Sequence, residues 1–330
     1  MKQKTKKYGA LLLLVFGLLL LTGNLETAMS ADEKFPIRPV ELIIPLPPGG
    51  GLDIVGRLVA EAMGPILGQK VVAVNIPGAG SIIGTQEIAQ SRPDGYRIGV
   101  VFNTSLTTGP IVQKVKYTLD DFSYISYYRR AGLLFAVRSD FPAKTTKEFF
   151  EYARSHPGKL TYGTNGIGDV CHFAGEKIFQ AMNVKIRMIP TGGAGPTLKA
   201  LLGGNIDIYS QTVPPILPHI KAGTAWGVFI STAERNKKLP EVPGTSDLGF
   251  PKAAEPAWNG IVGPKGTPAD RLAILEKAVQ QAIQNPKIVE FFEKQGEEAV
   301  ISSSKEFEEM VRSQYIANTI IAQQLGLSPK

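Results

Sequence analysis

A short apolar run that ends in a loop rich in proline and glycine is the feature that most restricts the fold of this chain. The stretch reads Val40-Glu-Leu-Ile-Ile-Pro-Leu-Pro-Pro-Gly-Gly-Gly-Leu-Asp53. It predicts a strand, a tight loop and the start of a helix, since an acidic residue opens the amphipathic segment that follows. The first N–H groups of such a helix have no acceptor within it and lie at the positive end of its dipole. The loop is therefore a candidate receptor for an anion.

Strand-like and helix-like segments alternate along the rest of the chain. The predicted strands are Val40–Ile44, Lys70–Val74, Arg97–Phe102, Leu133–Val137, Leu160–Gly163, Ile186–Ile189 and Ile206–Tyr209. The predicted helices are Asp53–Leu67, Gly84–Gln90, Thr146–Ser155, Asp169–Met182, Gly195–Leu202, Ala269–Asn285 and Lys305–Leu325. This alternation predicts an α/β fold with largely parallel sheets. Because no long linker separates the halves, we expect two domains that the chain crosses between more than once, with a small-molecule site in their cleft.

The first thirty residues have the pattern of an export leader. Its basic region contains Lys2, Lys4, Lys6 and Lys7. The apolar segment Ala10–Leu21 is too short to span a bilayer comfortably. We expect cleavage after Ser30 or, alternatively, after Ala31, and hence a periplasmic location. Asn24 stands where a lipoprotein motif would need cysteine, so lipid anchoring is not expected.

The composition of the exported part argues against several classes of function. The formal charge of +7 falls to about +4 without the leader, because four lysines and Glu26 leave with it. The remaining basic residues are scattered, so no nucleic-acid partner is predicted. Cys171 is the only cysteine, so an internal disulfide cannot stabilise the exported chain.

Two further glycine-rich loops follow predicted strands. The second loop, Asn75–Gly84, has the spacing G-x-G-x-x-x-G, one residue longer than the dinucleotide fingerprint, and no acidic residue ends the next strand. Its glycines could instead serve only to permit tight turns. The third loop, Gly163–Gly168, is followed by Asp169 and His172. None of the loops continues into Gly-Lys-Ser/Thr, so a phosphate-binding P-loop is not predicted.

Residues suited to catalysis or metal binding are sparse. His156, His172 and His219 show no metal-ligand spacing, and we predict neither a metal nor a cofactor. Cys171 and His172 are adjacent, and neighbours on a helix point about 100° apart, so that geometry would not pair a nucleophile with its base. No G-x-S-x-G nucleophile elbow is present. An exported hydrolase that uses Cys171 or His172 stays open as an alternative to a binding protein.

Motifs along nearly the whole exported chain resemble those of one receptor family. In chain order they are Phe35-Pro-Ile-Arg-Pro39, Ile44-Pro-Leu-Pro-Pro-Gly-Gly-Gly-Leu-Asp53 with Arg57, Asn75-Ile-Pro-Gly-Ala-Gly80, Pro93-Asp-Gly-Tyr96, Asp121-Phe122, Pro157-Gly-Lys-Leu-Thr-Tyr162, Gly166, Gly168, His172, Leu202-Gly-Gly204, Pro218-His-Ile-Lys-Ala-Gly223, Arg235, Leu239-Pro-Glu-Val-Pro243 and Gly266-Thr-Pro268. The chain resembles the solute receptors of tripartite tricarboxylate transporters, also called the Bug family. Single motifs are weak, but this many in order are specific.

The resemblance implies a type II periplasmic binding fold with a ligand cleft between two α/β domains. After a signal peptide at 1–30, one domain would comprise 35–133 and 256–330, and the other 134–255. The implied protein is a monomer without enzyme activity. It would capture a small carboxylate and pass it to membrane permease subunits. In the family, the loops grip a carboxylate largely through backbone N–H groups and ordered water. The implied ligand-binding residues are Leu46, Pro47, Pro48, Gly49, Gly50, Gly51, Asp53, Asn103, Thr104, Ser105, Thr164, Asn165, Gly166, Gly168, Asp169, His172, Thr191, Gly192 and Gln211.

Three positions depart from the family pattern. Asp169 stands where the family usually has serine, and an aspartate repels a second ligand carboxylate, although it could equally serve only the helix dipole. Pro190-Thr-Gly-Gly193 replaces the usual Pro-Tyr-Lys-Gly, and Gln211-Thr212 replaces an acidic–amide pair. Together these departures predict a monocarboxylate whose far end is neutral, hydroxylated or cationic. A ligand sensor that feeds a signalling system is a further alternative function.

Overall fold

The computed structural model describes residues 34–327, and the predicted leader lies outside them. Two β-sheets organise this part of the chain. The strands are β1 (Val40–Ile44), β2 (Val71–Asn75), β3 (Arg97–Phe102), β4 (Phe122–Ala131), β5 (Leu133–Arg138), β6 (Thr161–Thr164), β7 (Arg187–Pro190), β8 (Ile208–Thr212), β9 (Ala225–Ile230), β10 (Ala257–Pro264) and β11 (Glu298–Ala299). One sheet has six strands in the order β11-β4-β10-β3-β1-β2, and the other has five in the order β7-β6-β8-β5-β9.

Helices cover these sheets. They are α1 (Gly51–Leu67), α2 (Ile82–Ala89), α3 (Gly109–Val112), α4 (Thr146–Ser155), α5 (Val170–Ala181), α6 (Ala194–Leu202), α7 (Leu217–Lys221), α8 (Ala269–Ile283), α9 (Pro286–Gln295) and α10 (Ser304–Gln324). A π-helical turn, Thr104–Thr108, precedes α3. We call the six-stranded sheet with α1–α3 and α8–α10 lobe 1, and the five-stranded sheet with α4–α7 lobe 2. Within residues 34–327, no helix is both long and apolar enough to cross a membrane.

The prediction of largely parallel sheets is wrong, because both sheets are mixed. β1 pairs in parallel with β2 and β3, and β6 pairs in parallel with β7 and β8. β10 is antiparallel to β3 and β4, while β5 is antiparallel to β8 and β9. Parallel pairing requires a crossover connection within one sheet. β5 and β10 are instead reached from the other sheet, so no such crossover sets their direction.

Each sheet buries its own core. Lobe 2 packs aromatic rings on one face of its sheet, where Phe135 stacks on Phe229 with centroids 4.3 Å apart. Lobe 1 packs Trp258 edge-on against Phe307 of α10 at 5.5 Å. The helix α4 begins where the sequence predicts, and Thr145 is its N-cap, since its hydroxyl accepts the Glu148 N–H at 3.2 Å. Each lobe therefore has a hydrophobic core of its own.

The chain passes between the sheets at Gly132 and again between β9 and β10. Ser231 joins these two passages. Its hydroxyl donates to the carbonyl of Glu255 at 2.9 Å and accepts the N–H of Leu133 at 3.0 Å. The N–H of Glu255 in turn donates to the Ser231 carbonyl at 2.9 Å. The two connecting segments are therefore held side by side.

A buried ionic network lies at the second passage. Lys177 of α5 pairs with the carboxylate of Glu255, and both side chains are buried. Asn318 of α10 donates to the other carboxylate oxygen at 3.1 Å and to the Thr107 carbonyl at 3.1 Å. One carboxylate thus links a helix of lobe 2, a helix of lobe 1 and the segment that connects the lobes.

Candidate functional site

The residues predicted for the site lie mostly at the carboxyl ends of parallel strands in both sheets. In lobe 1 they follow β1 and β3, and in lobe 2 they lie at the ends of β6 and β8 or in the loops after β6 and β7. Because β1 is parallel to β3, and β6 is parallel to β7 and β8, the loops after them emerge at one edge of each sheet. In open α/β sheets, ligands bind at such edges.

The glycines of the first loop leave an open surface at the start of α1. A β-carbon added at Gly49, Gly50 or Gly51 would meet no atom within 4 Å. Gly50 is the N-cap of α1 and offers no side chain to the helix. The first N–H groups of a helix lack acceptors within it. The N-terminus of α1 is therefore accessible and is not capped by a side chain.

The side chain of Asp53 holds the first loop in place by hydrogen bonds. Its buried carboxylate accepts hydrogen bonds from the Gly49 N–H at 2.8 Å, Arg57 Nε at 3.0 Å and Asn75 Nδ2 at 2.8 Å. Asn75 Nδ2 also donates to the Leu46 carbonyl at 2.9 Å. Burial would raise the pKa of Asp53, but these hydrogen bonds outweigh it and lower the pKa below its usual value. The carboxylate is ionised and fixes the shape of the loop.

Arg57 and Asn75 are absent from the predicted set, yet both hold this loop. Arg57 also donates to the side chain of Asn75. The spacing of Asp53 and Arg57, four residues apart on one helix, is a signal that could have identified the ion pair. Asn75 ends β2, which is hydrogen-bonded to β1, so its position beside the loop follows only from the strand order.

The segment after β3 is hydrogen-bonded to the chain where it returns from lobe 2, which the sequence does not predict. The side chain of Asn103 is buried, donates to the Pro256 carbonyl at 3.1 Å and accepts the Trp258 N–H at 3.0 Å. Ser105 is fully buried. Thr104, the third predicted residue in this segment, is half-buried. Asn103 therefore ties the segment to the start of β10.

In lobe 2, the carboxylate of Asp169 caps α5. One oxygen accepts the His172 N–H at 2.9 Å, and the other accepts the Asn165 N–H at 3.2 Å. Burial raises the pKa of Asp169 above its ordinary value, although the hydrogen bonds from His172 and Asn165 oppose the shift. The N-cap of α5 is thus a residue with a carboxyl group, whereas Gly50, the N-cap of α1, has no side chain.

The third loop closely approaches lobe 1. Gly168 has a φ of +79°, and a β-carbon there would lie 2.5 Å from Cγ2 of Val112 on α3. Beside this contact, Ile111 of α3, Phe173 of α5 and Ala322 of α10 form a buried apolar cluster. A β-carbon at Gly166 would meet nothing within 4 Å. The loop therefore has one side against lobe 1 and another side that is open.

The remaining predicted residues of lobe 2 sit beside this loop. The Thr191 hydroxyl donates to the Thr164 carbonyl at 2.8 Å, and Gly192 has a φ of +83° with open space around it. Gln211 is buried at the end of β8, and its Nε2 donates to Asn165 Oδ1 at 3.1 Å. The structure thus brings the loops after β6, β7 and β8 into one hydrogen-bonded group.

Cys171 and His172 interact with different groups. Cys171 Sγ donates to Gln211 Oε1 at 3.6 Å, and His172 Nδ1 accepts the Gly168 N–H at 3.0 Å. Burial raises the pKa of the Cys171 thiol and lowers the pKa of His172 to about 4. A protonated thiol and an imidazole whose Nδ1 is already bonded make a poor nucleophile and base. Within residues 34–327, no group of three or more His, Cys, Asp or Glu side chains could hold a metal ion.

The burial of His172 predicts that stability depends on pH. Its pKa of about 4 lies below the value of roughly 6.5 for an unfolded chain, so between these values only the unfolded state takes up the proton. We expect the free energy of unfolding to fall by about 3 kcal/mol as the pH drops from 6.5 to 4 through this group. His172→Asn keeps an acceptor for the Gly168 N–H and should remove this part of the dependence in urea unfolding.

The matched control is His156→Asn, which makes the same substitution at an exposed histidine at the end of α4, away from the third loop. If the pH profile of His172→Asn matched that of the parent protein, the buried neutral imidazole would not be the cause.

Two cavities of comparable size lie away from these loops. One, of about 540 Å³, is lined by 236–238 and residues of α9 and β11, and another, of about 550 Å³, is lined by 249–253 and residues of α5 and α10. No predicted site residue lines either cavity.

Comparison with known proteins identifies the family. The family described as tripartite tricarboxylate transporter family receptor matches residues 55–327. The chain belongs to this family. It is 30% identical over 295 residues to BugT of Bordetella pertussis, and the aligned region covers 88% of this chain and 90% of BugT.

Solved structures share the fold. A crystal structure of a TctC solute-binding protein from Polaromonas superposes with a TM-score of 0.80 at 27% identity, covering 88% of this chain and 99% of that one. MatC from Rhodopseudomonas palustris with bound malate gives a TM-score of 0.69 at 26% identity, covering 87% and 99%. The predicted resemblance and the two-domain type II periplasmic binding fold are confirmed. The chain is a solute-binding receptor of this family, while its ligand and its site residues stay predictions.

Proposed function

We propose that this receptor binds a monocarboxylate in the periplasm, with the carboxylate at the first loop and a group other than a carboxylate at the third. The observation that carries the proposal is the contrast between two helix N-termini. The N-terminus of α1 is uncapped by any side chain and accessible, whereas the N-terminus of α5 is capped by Asp169. A ligand anion is stabilised at the former and repelled at the latter.

The state of Asp53 supports the same choice of loop. Its charge lies beside the first loop but is paired with Arg57 through both carboxylate oxygens. The loop N–H groups therefore face a ligand without an uncompensated anion next to them. At Asp169, by contrast, both oxygens are bonded to neutral backbone N–H groups, so no cation offsets its charge.

The relatives support a carboxylate as the ligand class. MatC was solved with malate, which has two carboxylates, and it is 26% identical to this chain. We expect this chain to differ in the second group, because Asp169 stands where the family usually has serine. In this proposal Asp169 takes the place that a second ligand carboxylate would occupy at the N-terminus of α5.

The proposal includes the organisation around the site. We assign the two ligand-binding domains to 35–133 plus 256–330 and to 134–255, with the lobes closing on the ligand by hinge motion at the two connecting segments. The receptor would be exported after cleavage near Ser30 or Ala31, act as a monomer and deliver its ligand to membrane permease subunits.

The test is a ligand panel measured by calorimetry on protein refolded from denaturant, which removes any retained ligand. We expect monocarboxylates of three to six carbons to bind more tightly than dicarboxylates of equal length. Asp169→Ser should improve dicarboxylate binding by about tenfold or more, because serine can still cap α5 while the repelling charge is gone.

Asp140→Ser is the matched control, since it removes the same charge from an exposed position of lobe 2. Tight binding of succinate by the parent protein, with no binding of monocarboxylates, would contradict the proposal. An equal gain for both aspartate variants would show that net charge, and not the cap of α5, sets the preference.

A further inference from the structure

Gln211 is held in a single orientation by three partners. Its Oε1 faces the thiol of Cys171, which in the protonated form is a donor. Its Nε2 faces Asn165 Oδ1 at 3.1 Å and Thr197 Oγ1 at 3.5 Å. The Thr197 hydroxyl sends its own proton to the Gly193 carbonyl at 2.7 Å, so it can accept from Gln211. Turning the amide over would set its NH₂ group against the Cys171 thiol and its oxygen against Asn165 Oδ1, so the Gln211 and Asn165 amides could only turn together.

This orientation places the Asn165 side-chain oxygen against Gln211 and its NH₂ group on the side of Asp169. Asn165 is exposed at the start of the third loop, and its Oδ1 is occupied by Gln211. Its Nδ2 therefore lies on the other side of the planar amide. Asp169 is close by, because its carboxylate accepts the Asn165 backbone N–H at 3.2 Å and interacts with the Asn165 side chain, which uses one of the two NH₂ protons. The exposed part of this wall thus combines an N–H donor with a carboxylate acceptor.

We infer that Gln211 is a positioning residue that turns the Asn165 NH₂ group toward the ligand, and that this wall selects a hydroxylated monocarboxylate. A hydroxyl accepts from Asn165 and donates to Asp169, and a methyl group does neither; an ammonium group is attracted by Asp169 but meets a donor in Asn165. The inference rests on the proposed function, in which the ligand carboxylate is bound by the first loop. Cys171 contributes by fixing Gln211. In this inference Gln211 acts through Asn165, in place of the direct ligand contact that the sequence predicts for it.

The first test uses straight-chain monocarboxylates of equal length that end in a hydroxyl, a methyl or an amino group. In calorimetry, the parent protein should prefer the hydroxyl over the methyl ligand by about fivefold or more, the effect of one neutral hydrogen bond. Gln211→Leu keeps the buried volume similar but frees Asn165 to rotate, so this ratio should fall to about one. Gln211→Glu should favour the amino ligand, because Asn165 would turn its oxygen toward the cleft.

A double-mutant comparison separates positioning from direct contact and from charge. In an Asn165→Ala background, Gln211→Leu should leave the hydroxyl-to-methyl ratio unchanged, and Gln211→Glu should no longer favour the amino ligand. An effect of either substitution that persists in this background would overturn the inference. Cys171→Ser, which keeps a donor, should preserve the ratio of the parent protein, whereas Cys171→Ala should reduce it.

A second measurement does not depend on ligand binding. In the ¹⁵N-labelled, ligand-free protein, the Gln211 side-chain amide protons should exchange slowly, and Gln211→Leu should shift the Asn165 side-chain amide resonances. If no carboxylate bound the parent protein, the proposed function would be wrong. The exchange and resonance measurements would still test the positioning role of Gln211. Fast exchange at Gln211, or unshifted Asn165 resonances, would reject that role even if the ligand class were correct.

Discussion

Lys177→Met is expected to lower the free energy of unfolding by about 3–5 kcal/mol. The substitution leaves the fully buried carboxylate of Glu255 without its cation. A buried charge that loses its partner keeps the cost of its removal from water, and the single bond from Asn318 at 3.1 Å does not replace the ion pair. Urea unfolding measures the effect, and the two tryptophans report on different sheets, with Trp258 on β10 and Trp226 on β9.

The double variant Lys177→Met with Glu255→Gln tests the origin of this loss. No charge is then buried, and the glutamine oxygen can still accept from Asn318, so more than half of the lost free energy should return. The exposed pair of Lys294 and Glu290 on α9 is the control, and Lys294→Met should not measurably change the unfolding midpoint. A Lys177→Met protein as stable as its parent would contradict the prediction, because the Glu255 carboxylate would then not depend on its ion pair with Lys177.

This network also bears on ligand binding. Glu255 links α5, which carries the third loop at its start, to α10 of lobe 1 and to the segment between the lobes. We expect Lys177→Met to weaken the affinity of any ligand that contacts both lobes, because the helix that presents the third loop loses an anchor. The same variant should leave the hydrogen bonds around Asp53 unchanged, since they lie within lobe 1.

The local parts of the site could be predicted from the sequence, since they depend on short-range patterns. The apolar run Val40–Ile44 and the glycines after it specify a strand, a loop and a helix, and the structure has these elements. Asp169 predicts the start of a helix, and the structure has it as the N-cap of α5. In both cases the information lies within about ten residues, where capping and periodicity act.

The parts that could not be predicted depend on contacts between distant residues. The strand β4 carries Arg129, whose charge argues against a buried strand, but Glu297 pairs with it across 168 positions. Asn103 reads as a loop residue available to a ligand, whereas its side chain is buried against Pro256 and Trp258. Neither partner is visible from local pattern, because only the return of the chain from lobe 2 brings them together.

Gly168→Ala is expected to weaken ligand binding by about tenfold or more and to lower the stability of the ligand-free protein. The backbone at Gly168 has a φ of +79°, a region that costs an alanine about 1–2 kcal/mol. The added methyl would also lie 2.5 Å from Cγ2 of Val112, on the other lobe. Either the third loop or the approach of the lobes must therefore change. Calorimetry and urea unfolding measure the two effects separately.

Gly166→Ala in the same loop is the matched control for stability, because its β-carbon would meet nothing within 4 Å and its φ is not left-handed. Adding Val112→Ala to Gly168→Ala removes the clash but not the backbone strain, so it should restore only part of the loss. If the contact between Gly168 and Val112 belongs to the arrangement that binds ligand, affinity should recover more than stability in this double variant. Recovery of stability alone would mean that the contact only supports the ligand-free fold.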